Sequence, residues 1–233
     1  MSESLGARIR AARTARGMSL RSVAQSLGVS ASLVSQIEIG KTQPSVSTLY
    51  ALASHLGASI DELMGMPAAA PESSDGAPID PGSPSAPIVQ QAADNPVIEM
   101  ENGVRWERLA VGVGGPVDAI LVTYAPGATS SVEGKLMRHA GVEYAYLIEG
   151  ELTLQLEFDT HILRPGDSLH FDSIRPHLYL NHTDAPAKGV WFVLGRRQQN
   201  LALPDSPLAA PSASGATPAS AVDVLRAMDE LTT

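Results

Sequence analysis

Two groups of side chains in this sequence have types and spacings that could do chemistry. His139 and Glu143 stand four residues apart. On an extended chain alternate side chains share a face, so a strand through this stretch presents the imidazole and the carboxylate on one side. A neutral ring nitrogen beside an anionic oxygen suits a divalent cation. The second group lies near the N-terminus, where Ser32, Ser35 and Gln36 offer hydroxyl and amide groups on a segment of helical periodicity. The absence of cysteine excludes disulfides, thiolate metal sites and cysteine nucleophiles.

The elements that must position these residues fall into two kinds. Up to Met64, apolar residues such as Leu5, Ile9 and Ala12 recur at helical spacing, and Gly17 stops a first helix. Ser19 caps a second through Leu27, Gly28 breaks it, and Ser30 caps a third that ends at Gly40. Pro44 and Ser45 open a fourth running to Leu56, and Gly57 and Ser59 set up a short fifth over Ile60–Met64. Helix, glycine turn, helix is the spacing that lets one helix brace across a DNA backbone while the next lies in the major groove.

Residues 67–96 are rich in Pro, Ala, Ser and Gly without an apolar period, which predicts an extended or disordered linker. Beyond it come short strands: Val104 to Val111, Asp118 to Tyr124, Glu143 to Ile148, Leu152 to Phe158, Ser168 to Phe171, His177 to Asn181 and Val190 to Leu194. Turn signals such as Pro126-Gly127, Glu149-Gly150 and Pro165-Gly166-Asp167 separate them. The expected fold is therefore multidomain, α plus all-β. A five-helix bundle (1–66) is followed by the linker, an antiparallel β-barrel (97–197), and an Ala/Pro-rich tail (198–233) with a short helix from Ala221 to Leu231.

The segment SLRSVAQSLGVSASLVSQIEIGKTQPSVSTLYALASHLG closely resembles the XRE family, which includes the phage Cro and repressor proteins. The match covers some 60 residues through Ala24, Gly28, Ile37, Glu38, Gly40, Pro44 and Leu49. The resemblance implies a DNA-binding domain whose base-reading positions fall on Ala31, Ser32, Ser35 and Gln36, with Ser30 at the start of the recognition helix. Gln25 and Lys41 are better placed for phosphates, and Arg10, Arg13 and Arg21 add to that contact. Val23, Ala24, Leu27, Val34, Ile37 and Leu49 pack the bundle, and Glu38 is expected to serve the fold. Family members read pseudo-palindromes as dimers with half-sites ~34 Å apart, so a homodimer on a double-stranded operator is implied.

The strand-rich half resembles a cupin, a double-stranded β-helix, through KLMRHAGVEYAYLIEGELTL and LRPGDSLHFDSIRPHLYLN. This resemblance implies that His177 joins His139 and Glu143 in a facial set for Fe(II), Mn(II), Ni(II) or Zn(II). Met137 departs from the pattern, which has another histidine at that position. Three readings stand: a bound metal, a metal-free set that contacts a polar effector, and a structural role with His177 a turn residue beside Pro176. Expected effector contacts are Trp106, Phe171, Tyr146 and Asn181, with Tyr124 and Phe192 as companions. His161, His170 and His182 fall outside the motif positions, and Arg138 and Arg175 flank the presumed mouth.

Residues 1–66 carry six Lys/Arg against four acids, a balance of +2, and the remainder ten against 21, a balance of −11. That asymmetry permits phosphate contact at one end while the other is repelled. No apolar run reaches membrane-spanning length and no signal-peptide pattern opens the chain, so the expected location is cytoplasmic, with no membrane partner. These features together predict a transcriptional regulator, not an enzyme, whose barrel senses a small molecule. The rival resemblance is to non-haem Fe(II) epoxidases of hydroxypropylphosphonate, which set a Cro-type head on a cupin with a two-His, one-Glu iron site. Against it stands the linker, which is expected to hold head and barrel apart. A third reading is a module that acts through a partner protein.

Overall fold

The computed structural model describes residues 4–65, 88–110, 117–131 and 134–195. Most of the predicted linker, and the tail with its helix at 221–231, lie outside the described residues.

Five helices open the chain: α1 (Leu5–Ala15), α2 (Leu20–Leu27), α3 (Ala31–Glu38), α4 (Val46–His55) and α5 (Ile60–Met64). Each is started by a serine, Ser4, Ser19, Ser30, Ser45 or Ser59, whose hydroxyl accepts a hydrogen bond from a backbone N–H in the first turn. Each cap satisfies a donor that the helix itself leaves open. Between α2 and α3 the chain turns at Gly28 in the left-handed region (φ 69), where a side chain would be strained. Ile9, Val34, Ile37, Leu49, Leu52 and Leu63 are buried together in the centre of the bundle.

Among the described residues a 3₁₀ turn at Ala92–Asp94 precedes nine strands: β1 (Val97–Glu99), β2 (Val104–Arg108), β3 (Val117–Tyr124), β4 (Val142–Glu149), β5 (Leu152–Leu156), β6 (Asp159–Leu163), β7 (Ser168–Asp172), β8 (His177–Leu180) and β9 (Ala187–Leu194). They form two antiparallel sheets, one in the order β1-β2-β3-β9-β4-β7 and one in the order β6-β5-β8. Bridges at Thr129–Leu180 and Met137–His177 tie the intervening loops to β8. The pattern missed β1 and β6. Four of the five residues of β6 are exposed, so its sequence carries no apolar alternation to reveal it.

The bundle and the barrel are not held apart, which corrects the expectation drawn from the linker. Their buried side chains form one continuous core. On α4, Val46, Leu49, Tyr50, Leu52 and Ala53 are all buried, a set too wide for one stripe, so the helix packs on two sides. One side faces the bundle and the other the barrel, where Ser47 N–H donates to the Ser130 carbonyl at 3.1 Å. Glu101 N–H donates to the Pro44 carbonyl at 3.2 Å. Arg108 of β2, fully buried, donates Nε to Asp61 Oδ1 of α5 at 2.6 Å and its other nitrogens to the Ala119 and Val117 carbonyls.

Candidate metal centre and helix-turn-helix face

Buried Val34 and Ile37 anchor α3 in the bundle and turn Ala31, Ser32 and Gln36 outward, with Ser35 half-buried. Gln25, at the end of α2, and Lys41, past the end of α3, are exposed on either side. Ser30 is exposed, and its hydroxyl is engaged with Leu33 N–H at 3.1 Å as the cap of α3. Arg13, expected to help with phosphates, is spent inside the bundle. Its Nε and Nη2 donate to the two carboxylate oxygens of Glu38 at 2.5 and 2.8 Å, and Nη1 donates to the Met18 carbonyl at 2.8 Å. Both partners are largely buried, so this fork fixes α1 on α3, and Glu38 serves the fold as expected. Arg10 and Arg21 remain exposed.

His139, Glu143 and His177 converge inside the barrel, each buried, with their donor atoms within 4.8 Å of one another. Glu143 is the second residue of β4, and His177 opens β8. His139 is not on the strand: it precedes β4, its N–H bonds the Ser173 carbonyl at 3.0 Å, and the chain bends at Gly141 (φ 113) before Glu143. The pair therefore meets across a bend and not along one extended face.

The ring nitrogens are arranged as metal ligands usually are. His139 Nδ1 lies 3.2 Å from the Ala140 carbonyl and His177 Nδ1 2.8 Å from that of Arg175. A proton on each Nδ1 satisfies these carbonyls and leaves both Nε2 lone pairs facing inward. Those Nε2 atoms sit 2.8 and 3.3 Å from Glu143 Oε1, yet neither makes an aligned hydrogen bond, and both are buried. Convergent, buried and unsatisfied nitrogen donors beside a carboxylate fit a divalent cation. Burial alone would raise the Glu143 pKa, and only positive charge at the Nε2 side, from protonated imidazoles or from a cation in their place, outweighs it and holds the carboxyl well below the usual range. Its oxygens also accept from Tyr179 Oη at 2.8 Å and Ser173 Oγ at 3.3 Å. Burial, and then the neighbouring Glu143 charge, push the Tyr179 phenol well up, so it stays a donor.

Of the expected effector contacts, two lie at this centre. Phe171 meets the His177 ring edge-on at 4.9 Å, and Trp106 lines the void beside Glu143 with Tyr124. Tyr146 does not: alternation along β4 points Glu143 inward and leaves Tyr146 half exposed on the opposite face. Phe192 is likewise outward, paired across from exposed Tyr144. Asn181 is buried, but its amide donates to the Tyr124, Ala125 and Ala185 carbonyls and its oxygen accepts from Thr183. It clasps the loop before β9 and has no capacity left for a ligand. Arg175 pairs with Glu157 at 2.8 Å, and Arg138 is exposed at a cleft of about 440 Å³ between bundle and barrel.

Several residues at the centre escaped the sequence, among them Ser173, Ile120 and Val122. Tyr179, two positions after His177, and Trp191, on β9, face the same void, and strand alternation was the signal for the first. Val46 and Tyr50 come from α4. The Tyr50 ring stacks on His139 at 4.1 Å between centroids and meets Trp106 edge-on at 5.3 Å. Nothing local marks Tyr50 as more than a residue of the bundle core. What remains of the void is about 20 Å³. Met137, in the place of the missing histidine, lines both this void and the outer cleft.

Comparison with known proteins agrees with both halves. Residues 9–63 match the family model described as Helix-turn-helix, and residues 120–193 that described as Cupin domain. The chain is 30% identical over 180 residues to the HTH-type transcriptional regulator PuuR of Escherichia coli (strain K12), covering 76% of this chain and 86% of that one. Among solved structures it is similar to an HTH_3 family transcriptional regulator from Vibrio cholerae, with TM-score 0.57 and 20% identity over 82% of this chain and 94% of that one. Hydroxypropylphosphonic acid epoxidase from S. wedmorenis aligns at TM-score 0.41 and 19% identity over 83% of this chain and 98% of that one, too distant for any argument.

Proposed function

This chain belongs to the helix-turn-helix transcriptional regulators that carry a cupin domain, and from that membership we propose that it reads an operator in double-stranded DNA through α3 and responds to a small molecule through the barrel. Ser32, Ser35 and Gln36 supply hydrogen bonds to base edges, and Ala31 meets a thymine methyl. Gln25, the N-terminal turn at Ser30, and Lys41 contact phosphates. The observation that carries this reading is the helix-turn-helix face itself: the packing residues of α3 are inward, and Ser32 and Gln36 at the family's reading positions are outward, with Ser35 half-buried. A homodimer, acting in the cytoplasm, completes the proposal, since a bundle with a balance of +2 gains affinity by engaging two half-sites.

In the barrel, His139, Glu143 and His177 are the residues that would hold a divalent cation. A cation held there would supply Lewis acidity toward an anionic or chelating effector group. Ser173 and Tyr179 fix the carboxylate, and the Ala140 and Arg175 carbonyls fix the rings.

Binding of the purified protein to its own upstream DNA, against a scrambled duplex and at two salt concentrations, tests the regulator reading. A preference for the upstream duplex that survives the higher salt supports it. Weak binding to both, erased by salt, removes it. The enzyme reading keeps one observation in its favour, the closure of the donor set by the bundle, because a covered centre excludes water. Turnover after anaerobic loading with Fe(II) and then addition of an oxidant, dioxygen or peroxide, would support that reading.

A further inference from the structure

The bundle does more than lie beside the barrel: it fills the mouth of its pocket. Val46 and Tyr50 of α4 form one wall of the void whose other walls are Trp106, Tyr124, Tyr179 and Trp191. With Tyr50 stacked on the donor His139, about 20 Å³ is left, room for little more than one water. Pockets that hold small molecules span roughly 300–1,000 Å³. A barrel-bound effector of more than a few atoms and the docked bundle cannot share this space.

We infer that the helix bundle is a removable stopper on the barrel, with the Tyr50 ring in the place of the effector group that lies against His139, so that effector binding and bundle docking are mutually exclusive. The inference rests on the barrel being the sensor. An effector that binds only the undocked form shifts the population toward it by its differential affinity, and the helix-turn-helix is released from its seat against the barrel. The seat is specific. It includes the Asp61–Arg108 pair, the Ser47–Ser130 and Glu101–Pro44 backbone bonds, and the Tyr50 contacts with Trp106 and His139, beside the apolar core the two domains share. Signal therefore passes by direct contact from pocket to α4, in the same bundle as α3, and does not depend on tension in the segment joining the two domains.

The chain offers an internal reporter. It has two tryptophans, and both line the void. It has no cysteine, so one engineered pair forms one defined disulfide. The experiment uses the full chain with Ser47→Cys and Ser130→Cys, at positions whose backbones are already hydrogen-bonded across the seat, and measures quenching of tryptophan emission as 4-methylphenol is titrated into the oxidised and reduced forms. The reduced form is expected to be quenched at about tenfold or more lower concentration than the oxidised form, because only the unlinked chain can undock to admit the ring. Equal quenching in the two forms overturns the stopper.

Tyr50→Ala, checked for retained helix by circular dichroism, gives a second reading with 4-methylphenol, the tyrosine side chain as a free molecule. The variant is expected to bind it about tenfold or more tighter than the unsubstituted chain, whose own ring competes for the space. Equal affinity in the two proteins shows that the Tyr50 ring does not hold the effector's place. Neither measurement involves DNA, so a failure of operator recognition leaves both intact and is told apart from a failure of the stopper.

Discussion

Two residues of α3, Ser32 and Gln36, stand one helical turn apart and outward, which is why they are expected to discriminate between bases while Val34 and Ile37 hold the helix. Ser32→Ala together with Gln36→Ala should lose about 1–3 kcal/mol of preference for the upstream duplex per lost base contact, with thermal stability unchanged. Equal operator preference in mutant and parent, by fluorescence anisotropy, would remove these side chains from recognition. At the metal centre, Glu143 is the one anionic donor, and its oxygens are held by Ser173 and Tyr179. Purified without chelators, the parent should retain a divalent metal on elemental analysis and Glu143→Ala should lose most of it. Metal content unaffected by the substitution would place the ion elsewhere.

Among the elements, every helix is started by a serine and the recognition turn is made by one glycine, so the bundle's outline follows from rules acting within four residues. Ser19→Ala removes the acceptor for Ser22 N–H and is expected to cost about 1 kcal/mol, read as a lower urea midpoint with unchanged slope. An unchanged midpoint would show that water satisfies this end of α2 as well as the hydroxyl does. The strands were legible where one face is buried. β6, almost entirely exposed, was not. Tyr146 illustrates a rule available from the start: three positions from an inward Glu143, it must face outward on a regular strand.

For the whole molecule, the decisive feature is the seat of the bundle on the barrel. Arg108 is fully buried and balanced by Asp61, a residue of the other domain. Asp61→Ala leaves that guanidinium with carbonyls and the more distant Asp118 carboxylate, 3.5 Å away. The loss should be about 3 kcal/mol, the lower end for a broken buried pair, measured by urea denaturation. A loss below about 1 kcal/mol would mean that the pair is not what fastens the two domains. The seat joins an ion pair, two backbone bonds and an aromatic stack to the apolar core that the two domains share, so a switch requires an effector whose differential affinity for the undocked form outweighs all of them.

The sequence by itself determined the serine caps, the glycine turn, the inward and outward faces of α3, and a His-Glu-His set whose grouping rested on motif resemblance. These depend on neighbours within a few residues or on motifs of fixed spacing, where periodicity carries the information. The tertiary structure alone decided that Tyr50 lies on His139, that Asp61 neutralises Arg108, and that Asn181 clasps the loop before β9. The first two of these join residues 89 and 47 positions apart, and all three turn on which side chains the closed fold brings together. Side-chain type shows what a residue can bond, but for partners so distant in the chain the choice follows from packing one domain's apolar surface on the other's.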